Sequence, residues 1–567
     1  MADDTYTGAD LFVETLEQYG VTHVFGNPGT TELPVMQALA GSDLDYVLSL
    51  HEDVAVGAAA GYASTRRYHA AHDDGVLPVG VVNLHIAPGL AHGLGNLYGA
   101  MMAGAPLVVT AGNHSLDFRH EEPILSGDLV DLADQFTKWS DEVLDAAALP
   151  TMLRRAFRVA LTPPTGPVFL GLPLDVMLSE TDASPERLGP IPNAGRGDPA
   201  QVARASDFLV EADNPVMVLG DGVARAGADA VDAAVSLAEA AGARVHGEIL
   251  SSEVNFPTDH DQWVSFVPPD EQLAATLQST DLLVFAGTST HTTLTRHEGP
   301  LVDDATTCIH LGDDAWELGK NHPADAAVLG DPGLVMEELA AQVREGVSEE
   351  ERAARLERVE MMKEMTDQRM AAEAEDDADD WRASKADLAD ALEAVAADAH
   401  VVDEGVTAKY AMQTRRTMKP EHYISNKGGG LGYGLPAAVG ASVAERERGA
   451  EGGESRDVLG FVGDGSYLYY PHSLYTAARY DLDLTVVVVD NRNYRILKDN
   501  TLKLLGGEET DHDFLGMDFE PPVDIPQNAA SHGARGTLVD DPDAIADEVA
   551  AAMERDGPDV LDVLVHD

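Results

Sequence analysis

The stretch Val458-Leu459-Gly460-Phe461-Val462-Gly463-Asp464-Gly465-Ser466 decides the fold class. Its first half is a short apolar run, which reads as a strand buried on both faces. Gly463-Asp464-Gly465-Ser466 then turns the chain. The next apolar run, Leu484 to Val489, has the same character and ends in Asp490-Asn491. Both polar ends therefore fall at strand carboxyl ends, where open α/β sheets bind ligands. The glycines allow a close approach of backbone to phosphate. Asp464 and the Asn491 amide oxygen are hard oxygen ligands suited to octahedral Mg²⁺. Gly-Asp-Gly alone is a common turn. Gly220-Asp221-Gly222 also follows an apolar run, but no Asp-Asn or Asn-Asn pair stands at the right distance beyond it, and it reads as a turn only.

The same alternation extends outward. Thr7 can cap a helical run in which Leu11, Phe12, Leu16 and Tyr19 recur at helical spacing, and Gly20 stops it. Val21 to Phe25 reads as a strand entering the turn Gly26-Asn27-Pro28-Gly29. Val79 to Leu84, Pro106 to Thr110 and Val168 to Leu172 read as further strands, with alanine-rich helical stretches between them. Ser184 to Pro199, rich in Pro, Gly and Arg, reads as a linker. A second set of strands is expected at Val216 to Leu219, Leu282 to Ala286 and Cys308 to Leu311. From Val347 to about Asp380 the chain is highly charged; a solvated connecting helix is expected, with an acidic partner-binding tail as the alternative. The third unit begins near Ala383, and its acidic, Gly-bearing stretch Glu445 to Asp457 reads as an exposed loop. The expected fold class is α/β, with three units of parallel sheet flanked by helices.

Composition narrows the function. The chain has 567 residues, enough for three or four domains at roughly 150 residues each. Hydrophobic residues make up 44%, so sizeable cores can form and a disordered chain is excluded. Lys and Arg total 37 against 98 Asp and Glu, a formal net charge of −61. That balance argues against unspecific binding to nucleic acid or to anionic membranes, which need basic patches. It points to a halophile's protein, haloarchaeal in the expected case, whose self-repulsion high salt would screen; an acidic mesophilic protein is the alternative. One cysteine, Cys308, excludes an internal disulfide framework. No apolar stretch reaches the roughly 20 residues that span a bilayer. Met1-Ala2-Asp3-Asp4 lacks the basic region of a signal peptide, so a soluble cytoplasmic protein is expected.

Gly463-Asp464-Gly465 followed one strand later by Asn491 resembles the metal-diphosphate motif of the thiamine-diphosphate-dependent 2-oxo-acid decarboxylase and acetolactate-synthase superfamily. The resemblance covers nearly the whole chain. It is greatest to the benzoylformate decarboxylases, through Gly26-Asn27-Pro28-Gly29-Thr30-Thr31-Glu32-Leu33-Pro34, Asn83-Leu84-His85 and Thr110-Ala111-Gly112. Gly429-Gly430-Leu431-Gly432 and Leu435-Pro436-Ala437-Ala438 also match. It implies a pyrimidine-binding domain at 1–185, a middle domain at 195–345, an acidic helical linker at 346–382 and a diphosphate-binding domain at 383–567. Asp464 and Asn491 would ligate Mg²⁺ by side chain and Asn493 by its backbone carbonyl. Gly463, Gly465, Ser466, Tyr494, Gly429, Asn27, Pro28 and Gly29 would line the cofactor, and Gly405, Val406 and Thr407 would touch its diphosphate. Leu431 would prop the cofactor in its bent shape, ordinary core packing being the alternative.

Glu52 precedes the small-residue run Ala55 to Gly61. A Glu there is ordinarily a favourable first-turn charge. The resemblance instead implies that it bonds the pyrimidine ring of thiamine diphosphate, so that a C2 ylide forms, attacks a 2-oxo acid and releases CO₂. His85 would transfer protons, unless it is a satisfied structural histidine. Thr30 would contact the substrate carboxylate. His291 is the candidate for a second histidine from the middle domain, with His297 close by, although Leu294 holds the aligned position. Ile496 and Leu497 would face the substrate, and Ile496 would narrow its pocket. A homodimer would be the minimal active unit and a homotetramer the expected assembly. A carboligase of acetolactate-synthase type and a catalytically silent cofactor-binding protein stay open as alternatives. No nucleotide fingerprint argues for FAD, which stays a minor alternative.

Overall fold

Local rules set the first element. Thr7 accepts from the Asp10 amide while the Asp10 carboxylate accepts from the Thr7 amide, so helix α1 (Gly8–Tyr19) starts in a capping box. Gly20, at φ +83°, closes it in the left-handed conformation that glycine adopts without strain. Leu11, Phe12 and Leu16 are fully buried on the face that packs on the sheet. The computed structural model describes residues 6–269, 277, 280–294, 296–373 and 380–567. The chain divides into two compact units, one of residues 1–191, 381–410 and 426–567, the other of 192–380 and 411–425.

The first unit holds two parallel sheets. The N-terminal one comprises β1 (His23–Gly26), β2 (Asp45–Leu48), β3 (Gly80–Leu84), β4 (Leu107–Asn113), β5 (Ser140–Glu142) and β6 (Val168–Pro173), in the order β2-β1-β3-β4-β6-β5. Every pairing is parallel. The strand order reverses between β1 and β3, and such a switch point opens a crevice outside the strand carboxyl ends. Helices α2 (Glu52–Ala70) and α3 (Ile86–His92) follow β2 and β3.

The second unit carries β7 (Pro215–Leu219), β8 (Arg244–Gly247), β9 (Trp263–Phe266), β10 (Leu282–Ala286), β11 (Thr307–Gly312) and β12 (Ala326–Leu329). Their order is β9-β8-β7-β10-β11-β12, all parallel. Pro199 opens a helix (Pro199–Glu211) capped by Asp198, so the irregular segment ends one residue earlier than its composition implied. The charged stretch forms helix α4 (Glu349–Glu373). Its expected continuation at 374–379 lies outside the described residues, as do 1–5.

In the C-terminal half of the first unit, β13 (His400–Glu404), β14 (Val458–Gly463), β15 (Leu484–Asp490), β16 (Arg535–Val539) and β17 (Pro558–Leu564) run parallel in the order β13-β14-β15-β17-β16. Helix α5 (Gly434–Ala450) covers the sheet and crosses α2. Helix α6 (Arg495–Leu505) follows β15. The crossing explains the small-residue run. A Cβ on Gly61 would stand 2.1 Å from the Ala437 carbonyl oxygen, and one on Gly440 would stand 1.8 Å from that of Ala58. Only hydrogen fits at either contact.

The stretch Glu445 to Asp457 is not wholly an exposed loop. Glu445 to Ala450 form the last turns of α5, and Glu445 is 2% exposed. Partners on the N-terminal half make that burial tolerable: His69 Nε2 lies 3.4 Å from Glu445, Tyr62 donates to Glu447 at 2.6 Å, and Arg66 grips Glu451 with two hydrogen bonds of 2.9 Å. Among the described residues, no helix is long and apolar enough to cross a membrane.

Candidate functional site

The switch point gathers the N-terminal candidates. Asn27, Pro28 and Gly29 leave the end of β1, and His85 leaves the end of β3. Gly29 is what lets them meet, because a Cβ there would lie 1.8 Å from His85 Nδ1. Glu32, buried at 1% exposure, joins the two strand ends. Its Oε1 accepts from the Thr31 hydroxyl (2.7 Å) and from the amides of Gly112 (2.9 Å) and Ile86 (3.2 Å), while Oε2 faces His85 Nδ1 at 2.9 Å. Ile86 sits at φ +27°, a strained setting for a β-branched residue and of the kind that clusters at functional sites. Thr30 is exposed in the turn that leads to Glu32.

Glu52 is the first residue of α2 and is nearly buried. Asn27 Nδ2 donates to its Oε1 at 3.4 Å, and His92 Nδ1 lies 3.1 Å from its Oε2. Its neighbour Asp53 ties the two halves of the unit together, accepting from the Asn96 amide (2.7 Å) and from the Tyr470 hydroxyl (2.9 Å). Burial raises the Asp53 carboxyl above its ordinary range despite those donors.

The C-terminal candidates lie at the carboxyl ends of β13, β14 and β15, which are adjacent and in register. Gly405, Val406 and Thr407 follow β13. A Cβ on Gly405 would stand 2.3 Å from the Phe461 ring. Glu404, just before them, is buried and accepts from the amides of Gly432, Tyr433 and Gly434 and from Asn426 Nδ2. It thereby fixes the glycine-rich turn that carries Gly429, at φ +73°, and the part-buried Leu431. Burial pushes the Glu404 carboxyl up to about 7.

Gly463 ends β14, and Asp464, Gly465 and Ser466 open a short helix. The Ser466 hydroxyl donates to the Glu404 carbonyl oxygen at 3.4 Å, and a Cβ on Gly465 would meet the Tyr494 ring at 2.5 Å. Asp464 Oδ2 and Asn493 Oδ1 are both buried without a hydrogen-bond partner. Asn491 and Asn493 each donate an amide hydrogen to Asp567, at 3.1 and 2.9 Å. Burial, and then the neighbouring Asp490, raise the Asp464 carboxyl. Orphaned hard oxygens beside crowded carboxylates are the donor set that a small divalent cation satisfies. The second Gly-Asp-Gly is the contrast. The buried Asp221 carboxylate is saturated by Ser251, Ser252, Glu253 and Asn255, leaving it nothing to offer a metal.

His291 belongs to the other compact unit. Its ring is buried there, with Nε2 2.6 Å from the Thr288 hydroxyl and its face near Phe285 and His310. His297 Nδ1 lies 2.7 Å from the Gly299 carbonyl oxygen on the surface. Ile496 and Leu497 are exposed on α6. Glu32, His92, Glu404 and Asp567 were not singled out from the sequence. Glu32 and Glu404 stand inside or beside matched segments, whereas His92 and Asp567 carry no local signal.

Three family profiles match the chain in order. They are described as thiamine pyrophosphate enzyme, N-terminal TPP binding domain (residues 6–146), central domain (202–339) and C-terminal TPP binding domain (403–563). A benzoylformate decarboxylase of Pseudomonas aeruginosa is 30% identical over 97% of each chain. A probable acetolactate synthase large subunit of Methanocaldococcus jannaschii is 27% identical, over 98% of this chain and 92% of that one. Among solved structures, the thiamine diphosphate-dependent 4-hydroxybenzoylformate decarboxylase of Rhodococcus jostii RHA1 superposes with a TM-score of 0.83 at 28% identity, covering 99% of both chains. The benzoylformate decarboxylase of Polynucleobacter necessarius gives 0.85 at 25% identity, again over 99% of both. With these matches spanning both sheets of the first unit and that of the second, the chain belongs to the thiamine-pyrophosphate-dependent enzymes.

Proposed function

We propose that the chain is a thiamine-diphosphate- and Mg²⁺-dependent decarboxylase that releases CO₂ non-oxidatively from a small 2-oxo acid. The observation that carries the reading is the orphaned Asp464 Oδ2 at the end of β14, with Asn491 and Asn493 at the end of the adjacent β15. With the Asn491 side chain and the Asn493 backbone carbonyl it would hold Mg²⁺, and the backbone around Gly405 and Gly465 would take the diphosphate. Glu52 would bond the pyrimidine ring, and Leu431 would support the bent cofactor. When bound, thiamine diphosphate supplies the electron sink that decarboxylation needs. His85, oriented by Glu32, would deliver or remove a proton at the reacting carbon. Thr30 would hold the substrate carboxylate. His291 would supply the second histidine, from the middle domain.

The functional domains would be 1–185, 195–345 and 383–567, joined by the acidic segment 346–382. Ile496, Leu497, Leu504 and Leu505 leave an apolar face of α6 uncovered, which supports a homodimer as the smallest active unit. The test is CO₂ release from a panel of 2-oxo acids, from pyruvate to benzoylformate, in molar KCl with and without thiamine diphosphate and Mg²⁺. Cofactor-dependent CO₂ with a free aldehyde is expected. An acetohydroxy acid instead would move the assignment to a carboligase. Glu52→Gln should abolish turnover while cofactor binding through the metal-diphosphate end persists; full activity in that variant would overturn the role given to Glu52.

A further inference from the structure

We propose that His92 is a positioning residue for Glu52, an inference that rests on the role given to Glu52 above. The Glu52 carboxylate enters from the N-terminus of α2, and two side chains from other elements meet it. Asn27 reaches Oε1 at a long 3.4 Å, and His92 reaches Oε2 at 3.1 Å. The shorter contact is the stronger restraint. A carboxylate only accepts, so a neutral His92 donates through Nδ1–H, which fixes its tautomer. With Oε2 engaged, rotation about the last side-chain bond is restricted, and Oε1 is the oxygen left for an incoming group.

The ring of His92 is itself well placed for this duty. It stacks on His51 at 5.2 Å between centroids, and His51 is fixed in turn by accepting from the Asp53 amide at 3.1 Å. The His51 ring also lies 5.2 Å from that of Tyr470, which donates to Asp53. His92 thus leans on an ordered wall while its side chain stays 57% exposed. Removing an exposed ring leaves no core cavity, so variants at this position should fold.

A cation is the other occupant these groups invite. His51, Glu52 and His92 hold ligand atoms within 4.8 Å of one another. Two features oppose it. His51 Nδ1 is already occupied by the Asp53 amide hydrogen, which leaves the ring's own proton on Nε2. The cluster also sits at a helix N-terminus, where the partial charge is positive and repels cations.

The experiment compares the wild type, His92→Leu, His92→Gln and Glu52→Gln. Thiamine diphosphate is titrated calorimetrically into each apoprotein in molar KCl with Mg²⁺, and kcat, KM and Tm are measured alongside. Leu removes the donor; Gln restores an N–H. His92→Leu should weaken cofactor binding and lower kcat, each about ten-fold, with the KM for the 2-oxo acid and Tm unchanged. His92→Gln should recover most of both losses. A His92→Leu protein that binds and turns over like the wild type, beside an inactive Glu52→Gln, would overturn the role of His92 alone. Equal losses in the Leu and Gln variants would overturn it too, because the donor would then not be what matters. A fully active Glu52→Gln would instead overturn the reading of Glu52 on which this inference stands.

Discussion

Both carboxylate oxygens of Glu32 are occupied inside the protein, and the way they are divided makes a specific demand on His85. Oε1 takes three donors, whereas Oε2 faces only His85 Nδ1. In Glu32→Gln the single amide oxygen would go to the three donors. The amide NH₂ would then face Nδ1 and force it to accept, moving the ring proton to Nε2. If His85 transfers protons through Nε2, the variant holds the wrong tautomer in the right place. We expect kcat to fall about 10²- to 10³-fold with KM and Tm nearly unchanged. A loss confined to Tm would show that Glu32 is only structural. The sequence pointed to His85 and Gly29, which stand in segments that resemble the family, and the structure brings the two together. Sequence alone could not show Glu32 joining them, because the contact links two strand ends brought together by the sheet order. His92 was illegible for the same reason.

At the scale of elements, the crossing of α2 and α5 turns a row of acids into an ion-pair seam. Read along the chain, Glu445 to Glu451 is one more polar stretch, and only the packing against His23, Tyr62, Arg66 and His69 shows why Glu445 is buried and Glu447 half-buried. Strands of uniform apolar character, such as β10 and β15, were legible to within a residue. Strands β2, β13 and β16 carry charges or exposed positions and were not. Glu447 gives the seam a pH dependence with a definite sign. Burial opposes its ionisation, but hydrogen bonds from His23 and Tyr62 and the charge of Arg66 outweigh it and hold the carboxyl at about 2. Because this lies below its value in the unfolded chain, the stabilisation is fully present above about pH 4.5 and is lost as pH falls toward 2. It is worth roughly 3 kcal/mol at neutral pH. Glu447→Gln should therefore lower Tm at about pH 6, and the gap to the wild type should narrow toward about pH 3. The other carboxylates titrate in both proteins and cancel in that difference. A gap that stays constant with pH would show that Glu447 is not held in its ionised form.

For the whole molecule the governing quantity is charge. The excess of acids fixes a net charge of −61, and several of the 37 basic residues, Arg66, Arg67, Arg244, Arg355 and Arg416 among them, are buried. Thirteen acids, Glu404 and Asp464 among them, are buried as well, so among the described residues the surface keeps the acidic balance of the composition. Self-repulsion on this scale destabilises the compact state in dilute buffer and is relieved by salt. The buried pairs of the α2–α5 seam lie out of reach of screening ions, so they should survive the same salt. Stability and activity should both rise from dilute buffer into molar KCl. Screening also predicts where the rise ends: near 1 M the Debye length is about 3 Å, shorter than most distances between surface charges. Tm measured against KCl should climb steeply at first and flatten above about 1 M. The same ionic strength of NaCl should give the same curve, and sorbitol, which carries no charge, should not reproduce its early steep part. Highest Tm and activity in dilute buffer would overturn the salt-dependent reading. A climb that continues unabated well beyond 1 M would replace screening with specific ion binding or solute exclusion as the stabilising mechanism.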